Sequence, residues 1–293
     1  MYILRESSEN KALFEYTSAA DPKSDAIKPD IFDFQNMNLQ EGINDIYQSP
    51  TLKIKYLSIK DNSFLVTNES NACSHLYYVI DGEGKTFFDN TIIEWKKGDI
   101  FTHPVCKNIT HVGKTESKLI WANDEALNDY LGVVPVKKMF EPTYYEREVL
   151  LDFIKKANME VGAMERNRNG VLLSNRQIVR LGINTLTHTM WSLLNVISGN
   201  TAQKPHRHNS IAIDLCVSAE ENKVYTLMGK ELNEDGSVKD PIKRYWKANS
   251  IFITPPGWWH SHHNDSGTEA WVFPIQDAGL YTYLNTLDIR FVN

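Results

Sequence analysis

The hydrophobic pattern changes character three times along the chain. Residues 1–45 show no strand period, and SSENKALFEYTSAADPKSD mixes a short helical pattern with Pro and Asp breakers. This stretch is expected to form an arm or lid that packs on the body or on a second subunit, with plain disorder as the alternative. From about residue 50 to 122, short runs appear: TLKIKYLSI, HLYYVIDGEG, KTFFDNTIIEW, GDIFTHP and KLIWAND. They are apolar, aromatic and β-branched, with Gly, Asp and Asn between them. Short strands at roughly ten-residue spacing predict a sandwich or small barrel. From 123 to about 180 the pattern turns helical or irregular. Within PTYYEREVLLDFIKKAN, Thr143 is a candidate cap and Glu146 stands three residues on. Tyr145, Val149, Phe153 and Ala157 recur every four positions, which predicts a helix buried on that face. The following GAMERNRNG reads as a loop. After about 181 the β pattern returns in THTMWSLLNVI, SIAIDLCV, KVYTLMG, IKRYWKA, SIFITPP, EAWVFPI and TLDIRFV.

Two similar β units around a helical connector predict an internal duplication. Its landmarks are VIDGEG…WKKGDIFTHP in the first half and DLCVSAE…WKANSIFITPP in the second. The expected division is an N-terminal arm over 1–45, a first barrel over 46–135, a helical connector over 136–180 and a second barrel over 181–293.

The candidate chemistry lies in the second half. Of nine histidines, five fall in KPHRHNSIAID (204–214) and PPGWWHSHHN (255–264). Residues two apart on a strand face one side, so His206 and His208 point together and Arg207 points away. His260 follows a PPG turn at the end of SIFIT and is placed to close a three-nitrogen face. Three ligands on one face leave positions open for substrate and O2, as a non-haem iron site requires. A surface or core histidine cluster is the alternative reading of the same residues. Trp258 and Trp259 wall a pocket or simply pack. Gln276 and Asp277, at the end of VFPI, contact substrate or cap a turn. Asp214 binds a cationic or hydroxyl group of a substrate, or pairs with an Arg in the core. His188 has the opposite parity to Trp191 and should point away from the pocket. His263 reads as a surface residue.

The second half resembles a cupin. The second cupin motif is Pro-x-Gly, two residues, His, three residues, Asn; Pro255-Pro256-Gly257, His260 and Asn264 meet it. Asn249 stands where that motif has a Gly, and Asn also tolerates a left-handed turn. His206 and His208 match the first motif, while Ala212 and Ile213 stand near its expected Glu, so a fourth, carboxylate ligand is not expected. PHRHNSIAI and TPPGWWHSHHN resemble the duplicated cupins that act as gentisate, salicylate and 1-hydroxy-2-naphthoate dioxygenases. The resemblance implies an all-β fold of two tandem cupin (double-stranded β-helix, jelly-roll) barrels. It implies His206, His208 and His260 as ligands of Fe(II) or another divalent metal, His262 as the catalytic histidine beside the substrate, and Trp191 and Asn195 in the pocket. It also implies a homodimer or homotetramer.

Two departures stand out. In the first half, Glu69 and Asn71 fall where the His-x-His is expected, and His75, His103 and His111 lack matching spacing, so that barrel is expected to be a metal-free copy. Asp214 replaces the Arg that holds the substrate carboxylate in the resembled enzymes. A carboxylate clamp cannot be rebuilt from an acid, so Arg176 or Arg180 would have to supply it, or the substrate differs.

Composition narrows the class. Apolar residues make up 42% and charged residues 23%, ordinary for a globular protein. The net charge of −6 opposes a general nucleic-acid role. No apolar run is long enough to span a membrane. The N-terminus lacks a secretory pattern, and three scattered cysteines suggest reduced thiols in a cytoplasm. The function expected is a non-haem Fe(II)-dependent ring-cleaving dioxygenase of a hydroxylated aromatic acid or related compound, using O2. The alternatives are another metal-dependent cupin enzyme (a thiol dioxygenase, lyase or isomerase) on a small polar metabolite, and a non-catalytic ligand-binding cupin.

Overall fold

A computed structural model describes residues 27–67, 70–159 and 169–292, together with the backbone pairing of Tyr2–Glu6 with Lys11–Glu15. The loop expected over 162–170 lies mostly outside the described residues. The chain forms two β units. The first pairs a six-stranded sheet, whose central strands are Ser74–Asp81, Ser117–Asn123 and Lys53–Ile59, with a four-stranded one. The second pairs a six-stranded sheet centred on Ala270–Gln276 and Ala212–Ser218 with a sheet containing Val224–Gly229, Trp259–Asn264 and His206–His208. The two-barrel all-β expectation holds.

Why the central strands read as unbroken apolar runs follows from their two faces. Along Ser74–Asp81, Tyr77 and Val79 fill the first unit's interior, while Leu76, Tyr78 and Ile80 join a second core. That second core is the seam between the units. Ile213, Leu215, Phe273 and Ile275 enter it from the other side, and the Tyr78 and Phe273 rings lie 5.6 Å apart. A strand buried on both faces shows no alternation. Asp214 and Cys216, on the opposite face from Ile213 and Leu215, point into the second barrel; Cys216 packs there with Trp246, Phe252 and Val272.

The duplication extends to a shared side-chain chain. In the first unit the Trp95 indole donates to Thr86 Oγ1 at 2.9 Å, and Thr86 Oγ1 lies 2.8 Å from His111 Nδ1. In the second, Trp246 donates to Thr226 Oγ1 at 2.8 Å, and Thr226 Oγ1 lies 2.9 Å from His262 Nδ1. His111 therefore stands where His262 stands. Asn249 adopts the left-handed turn expected of it, at φ +60°.

Two expectations need correction. Lys11–Glu15 is a strand rather than part of a helical stretch, and Ile31–Asp33 and Gly42–Gln48 are strands added to the second and first units respectively. The connector helix spans Arg147–Asn158, preceded by the strand Thr143–Tyr145, so Thr143 does not cap it. Instead Asp99 Oδ1, from the first unit, accepts the Arg147 backbone N–H at 2.9 Å. The buried face is Leu150 and Ile154, while Val149 and Phe153 are 47% and 53% exposed. With its first turn fixed by a distant carboxylate, the helix docks one residue out of phase with the expected stripe.

Candidate metal centre

His206 is the direct cross-strand partner of His260, and His206–His208 pairs on its other side with Ile289–Phe291. Strand parity turns His206 and His208 to one side, while Arg207 lies outside over the Trp259 ring. The His206 and His260 rings are 4.0 Å apart, those of His208 and His260 4.9 Å, and those of His206 and His208 5.9 Å. One nitrogen from each of the three lies within 4.8 Å of the others. The turn that delivers His260 is tied to the ligand strand: Gly257, at φ +74°, donates its N–H to the His208 carbonyl at 2.6 Å.

The donor set fits a metal ion. A carbonyl only accepts, so His208 must donate Nδ1–H to Ser210 O at 2.8 Å, and His260 must donate Nδ1–H to Trp258 O at 3.0 Å. This fixes the tautomer and leaves Nε2 as each ring's lone-pair nitrogen, the arrangement metal-bound imidazoles use. Burial pushes the His208 pKa down to about 4, so the ring is neutral and able to ligate.

A cavity of about 290 Å³ opens beside the three rings. Trp191, Asn195, Asp214, Gln276 and His262 all line it. Gln276 Oε1 accepts from Ser210 Oγ at 2.9 Å, which links the cavity wall to the His208 surroundings. Asp214 is 3% exposed and accepts from Thr254 Oγ1 at 2.8 Å. Burial raises its pKa to about 7. The Arg partner expected for a core acid is replaced by that hydroxyl; among the described residues Asp214 has no ion pair.

Other candidates lie elsewhere. Trp258 is buried away from this cavity, with Lys230 over its ring. Asp277 sits at the seam, accepting from Thr51 Oγ1 at 2.7 Å and from Ile211 N at 3.0 Å, so it fastens the two units rather than facing a substrate. Arg176 and Arg180 are exposed and off the cavity, and no Lys or Arg lines it among the described residues. His188 lies off the cavity as expected, although it sits in a bend before the strand Trp191–Ile197 and not on it. His263 is half-buried on the outer face, stacked on Tyr225 with ring centroids 4.9 Å apart.

Sequence reasoning missed Gln203, Leu172, Ile289 and Phe291, which also line the cavity. Gln203 is 3% exposed, and neither polar atom of its amide has a hydrogen-bond partner among the described residues. A glutamine just before the His-x-His, between two strand patterns, carries no local signal. In the first unit the equivalent positions differ. Thr67 pairs with Ile109 there, N to O at 3.1 Å, where the second unit pairs His206 with His260. The position of His206 thus corresponds to Thr67, two residues before the Glu69 expected from sequence; Glu69 itself is outside the described residues. His111 has a Thr hydroxyl at each ring nitrogen, Thr86 and Thr67, and faces the packed interior.

No family model matches the sequence. A stretch of 142 residues is 27% identical to gentisate 1,2 dioxygenase 1 of Aquipseudomonas alcaligenes; it covers 48% of this chain and 36% of that protein, about a third of its length. The fold matches salicylate 1,2-dioxygenase from Pseudaminobacter salicylatoxidans with a TM-score of 0.69 at 10% identity, over 90% of this chain and 88% of that one. It also matches a cupin 2 conserved barrel domain protein from Leptotrichia buccalis, with a TM-score of 0.54 at 12% identity, over 85% of this chain and 97% of that one. No described helix is long and apolar enough to cross a membrane. The chain has the tandem cupin fold of the salicylate dioxygenase it matches and resembles the gentisate dioxygenase in sequence.

Proposed function

We propose that the protein is a non-haem Fe(II)-dependent ring-cleaving dioxygenase acting on a hydroxylated aromatic compound. The observation that carries this reading is the three-nitrogen face of His206, His208 and His260 opening onto a cavity lined by His262. Iron held there would supply the electron path between a chelated substrate and O2. The apolar walls, Trp191, Leu193, Pro274 and Phe291, sandwich a ring and keep water out. His262 holds or moves the proton of the substrate hydroxyl. Trp246 can only donate, so it occupies one lone pair of Thr226 Oγ1 and leaves the other lone pair and the hydroxyl hydrogen for His262 Nδ1; in this reading the hydroxyl donates to Nδ1 and the ring proton sits on Nε2. In that tautomer His262 turns an Nε2–H toward the cavity. The first barrel serves as a metal-free structural copy in this reading, consistent with Thr67 and Ile109 at its ligand positions.

Asp214 favours a refinement. It is the one acid in the described lining, and no cation faces it. A substrate hydroxyl or amino group, rather than a ring carboxylate, suits that wall. The same observation supports the second reading, a different metal-dependent cupin reaction on a small polar metabolite.

The test is metal analysis of anaerobically purified protein, with O2 uptake followed on hydroxybenzoates, hydroquinones and aminophenols. About one iron at the three-histidine site with uptake on a phenolic ring is expected. His206→Ala and His260→Ala should lose that iron. His262→Gln should keep it and lose about 10²–10⁴-fold in turnover, the usual size of a general acid–base contribution. Iron retained in both ligand variants would remove the site assignment.

A further inference from the structure

A second cluster of metal-ligating side chains lies at the seam between the two units, away from the cavity. Cys73 precedes the strand Ser74–Asp81, Asp124 follows the strand Ser117–Asn123, and His188 leads into the strand Trp191–Ile197. One ligand atom from each lies within 4.8 Å of the other two. A zinc-like ion with bonds of about 2.0–2.3 Å holds its ligand atoms roughly 3.3–3.8 Å apart, so small side-chain rotations would close this group on one ion.

The surroundings are those of a built site. Asp124 Oδ1 accepts from the Cys73 and Ser74 backbone N–H groups at 2.8 and 3.0 Å. Asp124 Oδ2 accepts from Thr189 Oγ1 at 2.8 Å and from the Cys73 thiol at 2.9 Å. The carboxylate is therefore held rigidly with its second oxygen against the sulfur. Outer hydrogen bonds of this kind orient ligands. The independent observation is at His188: its Nδ1 is buried and has no hydrogen-bond partner among the described residues, although the ring is seated against Phe140. A buried orphan nitrogen calls for a partner, and a cation between it, the thiol and the carboxylate supplies one. The adjoining cavity, bounded by Asp124, Thr189, Thr51 and Asp277, has a volume of about 20 Å³. That is room for about one water, which would complete a tetrahedral set beside Asp124, and none for a substrate.

We propose that Cys73, Asp124 and His188 bind a borderline-soft divalent cation of the zinc class, which clamps the first unit to the start of the second. Sulfur, nitrogen and oxygen donors together suit zinc. On binding, the Cys73 S–H bond breaks, the sulfur–metal bond forms and the proton leaves to solvent. Desolvation beside Asp124 raises the thiol pKa, so the proton stays on sulfur until a cation arrives.

The experiment is a Co2+ titration of the metal-stripped full chain, read by absorption and by equilibrium dialysis. Two ions per chain are expected, one of them giving a sulfur-to-cobalt charge-transfer band. That band should persist in the His206→Ala, His260→Ala double variant and vanish in Cys73→Ser. His188→Gln, which keeps the thiol, should weaken the band-giving site at least tenfold and guards against a folding defect in Cys73→Ser. Absence of a thiolate band in the wild-type chain would overturn the proposal. So would a band indifferent to Cys73→Ser, which would assign the sulfur to another cysteine.

Discussion

At the scale of single residues, Gln203 separates a functional role from a structural one. Its amide is buried, lines the cavity and has both polar atoms without partners among the described residues. An orphaned buried amide costs about 1–3 kcal/mol, and replacing it with an apolar group of similar size is close to neutral or stabilising. Gln203→Leu should therefore leave the melting temperature unchanged or raise it. If the amide meets substrate, the same variant should raise KM about tenfold, the equivalent of one hydrogen bond to a polar substrate group. A drop in stability with unchanged KM would place Gln203 in the scaffold. The residue was invisible in the sequence because its significance comes from the absence of partners, which only packing reveals. The three clustered histidines were legible for the opposite reason. Strand parity fixes the relative direction of His206 and His208, and a PPG turn fixes where His260 starts. Trp258 packs rather than walls the pocket: it lies just before the strand Trp259–Asn264, buried with Lys230 over its ring, so strand parity does not direct it into the cavity.

At the scale of elements, strands were easier to read than the connector. The strands announce themselves by β-branched and aromatic runs bounded by turn residues. The helix was found, but its phase and its cap were not. Both depend on Asp99, a residue far away in sequence that accepts the Arg147 N–H, the Lys96 N–H and the Tyr144 hydroxyl at 2.6–2.9 Å. Asp99→Ala should cost about 1–3 kcal/mol, from a lost helix cap and a stranded tyrosine hydroxyl. Chemical denaturation measures this as a lower midpoint with an unchanged slope. Loss below about 0.5 kcal/mol would mean that the helix start is held by packing of Leu150 and Ile154 alone. The paired Trp–Thr–His chains make a related point. WKKGDIF and WKANSIF were recognisable as counterparts, yet what they share is a tryptophan N–H that fixes a threonine, which in turn fixes a histidine. One copy seals a core, at His111, and the other faces a cavity, at His262.

At the scale of the whole molecule, buried carboxyls leave a pH signature on stability. Among the described residues, two buried acids without an ion pair, Asp214 in the second barrel and Asp277 at the seam, have pKa values raised by desolvation to about 7 and about 6. In the unfolded chain both return to near 3.8. Below that pH both states are protonated and no penalty exists. As pH rises from about 4 to 7, the unfolded chain releases these protons first, so the native state binds more protons and stability falls. Above about pH 7 the penalty is complete and constant. For Asp214 it amounts to a few kcal/mol. Asp214→Asn keeps an acceptor for the Thr254 hydroxyl and removes the charge. Metal-free wild type and variant, compared by denaturation at pH 4.5 and pH 8, should therefore diverge: a gap of only about 1 kcal/mol at the lower pH, and one of a few kcal/mol in favour of the variant at the higher. The argument reaches function through the same residue. A site that retains an uncompensated acid at this cost is expected to use it, so the stabilised variant should also lose affinity for a substrate carrying a hydroxyl or amino group. If Asp214→Asn were more stable at pH 8 and turned over equally well, the acid would be a burden without a task, and the substrate would have to be sought among carboxylated rings.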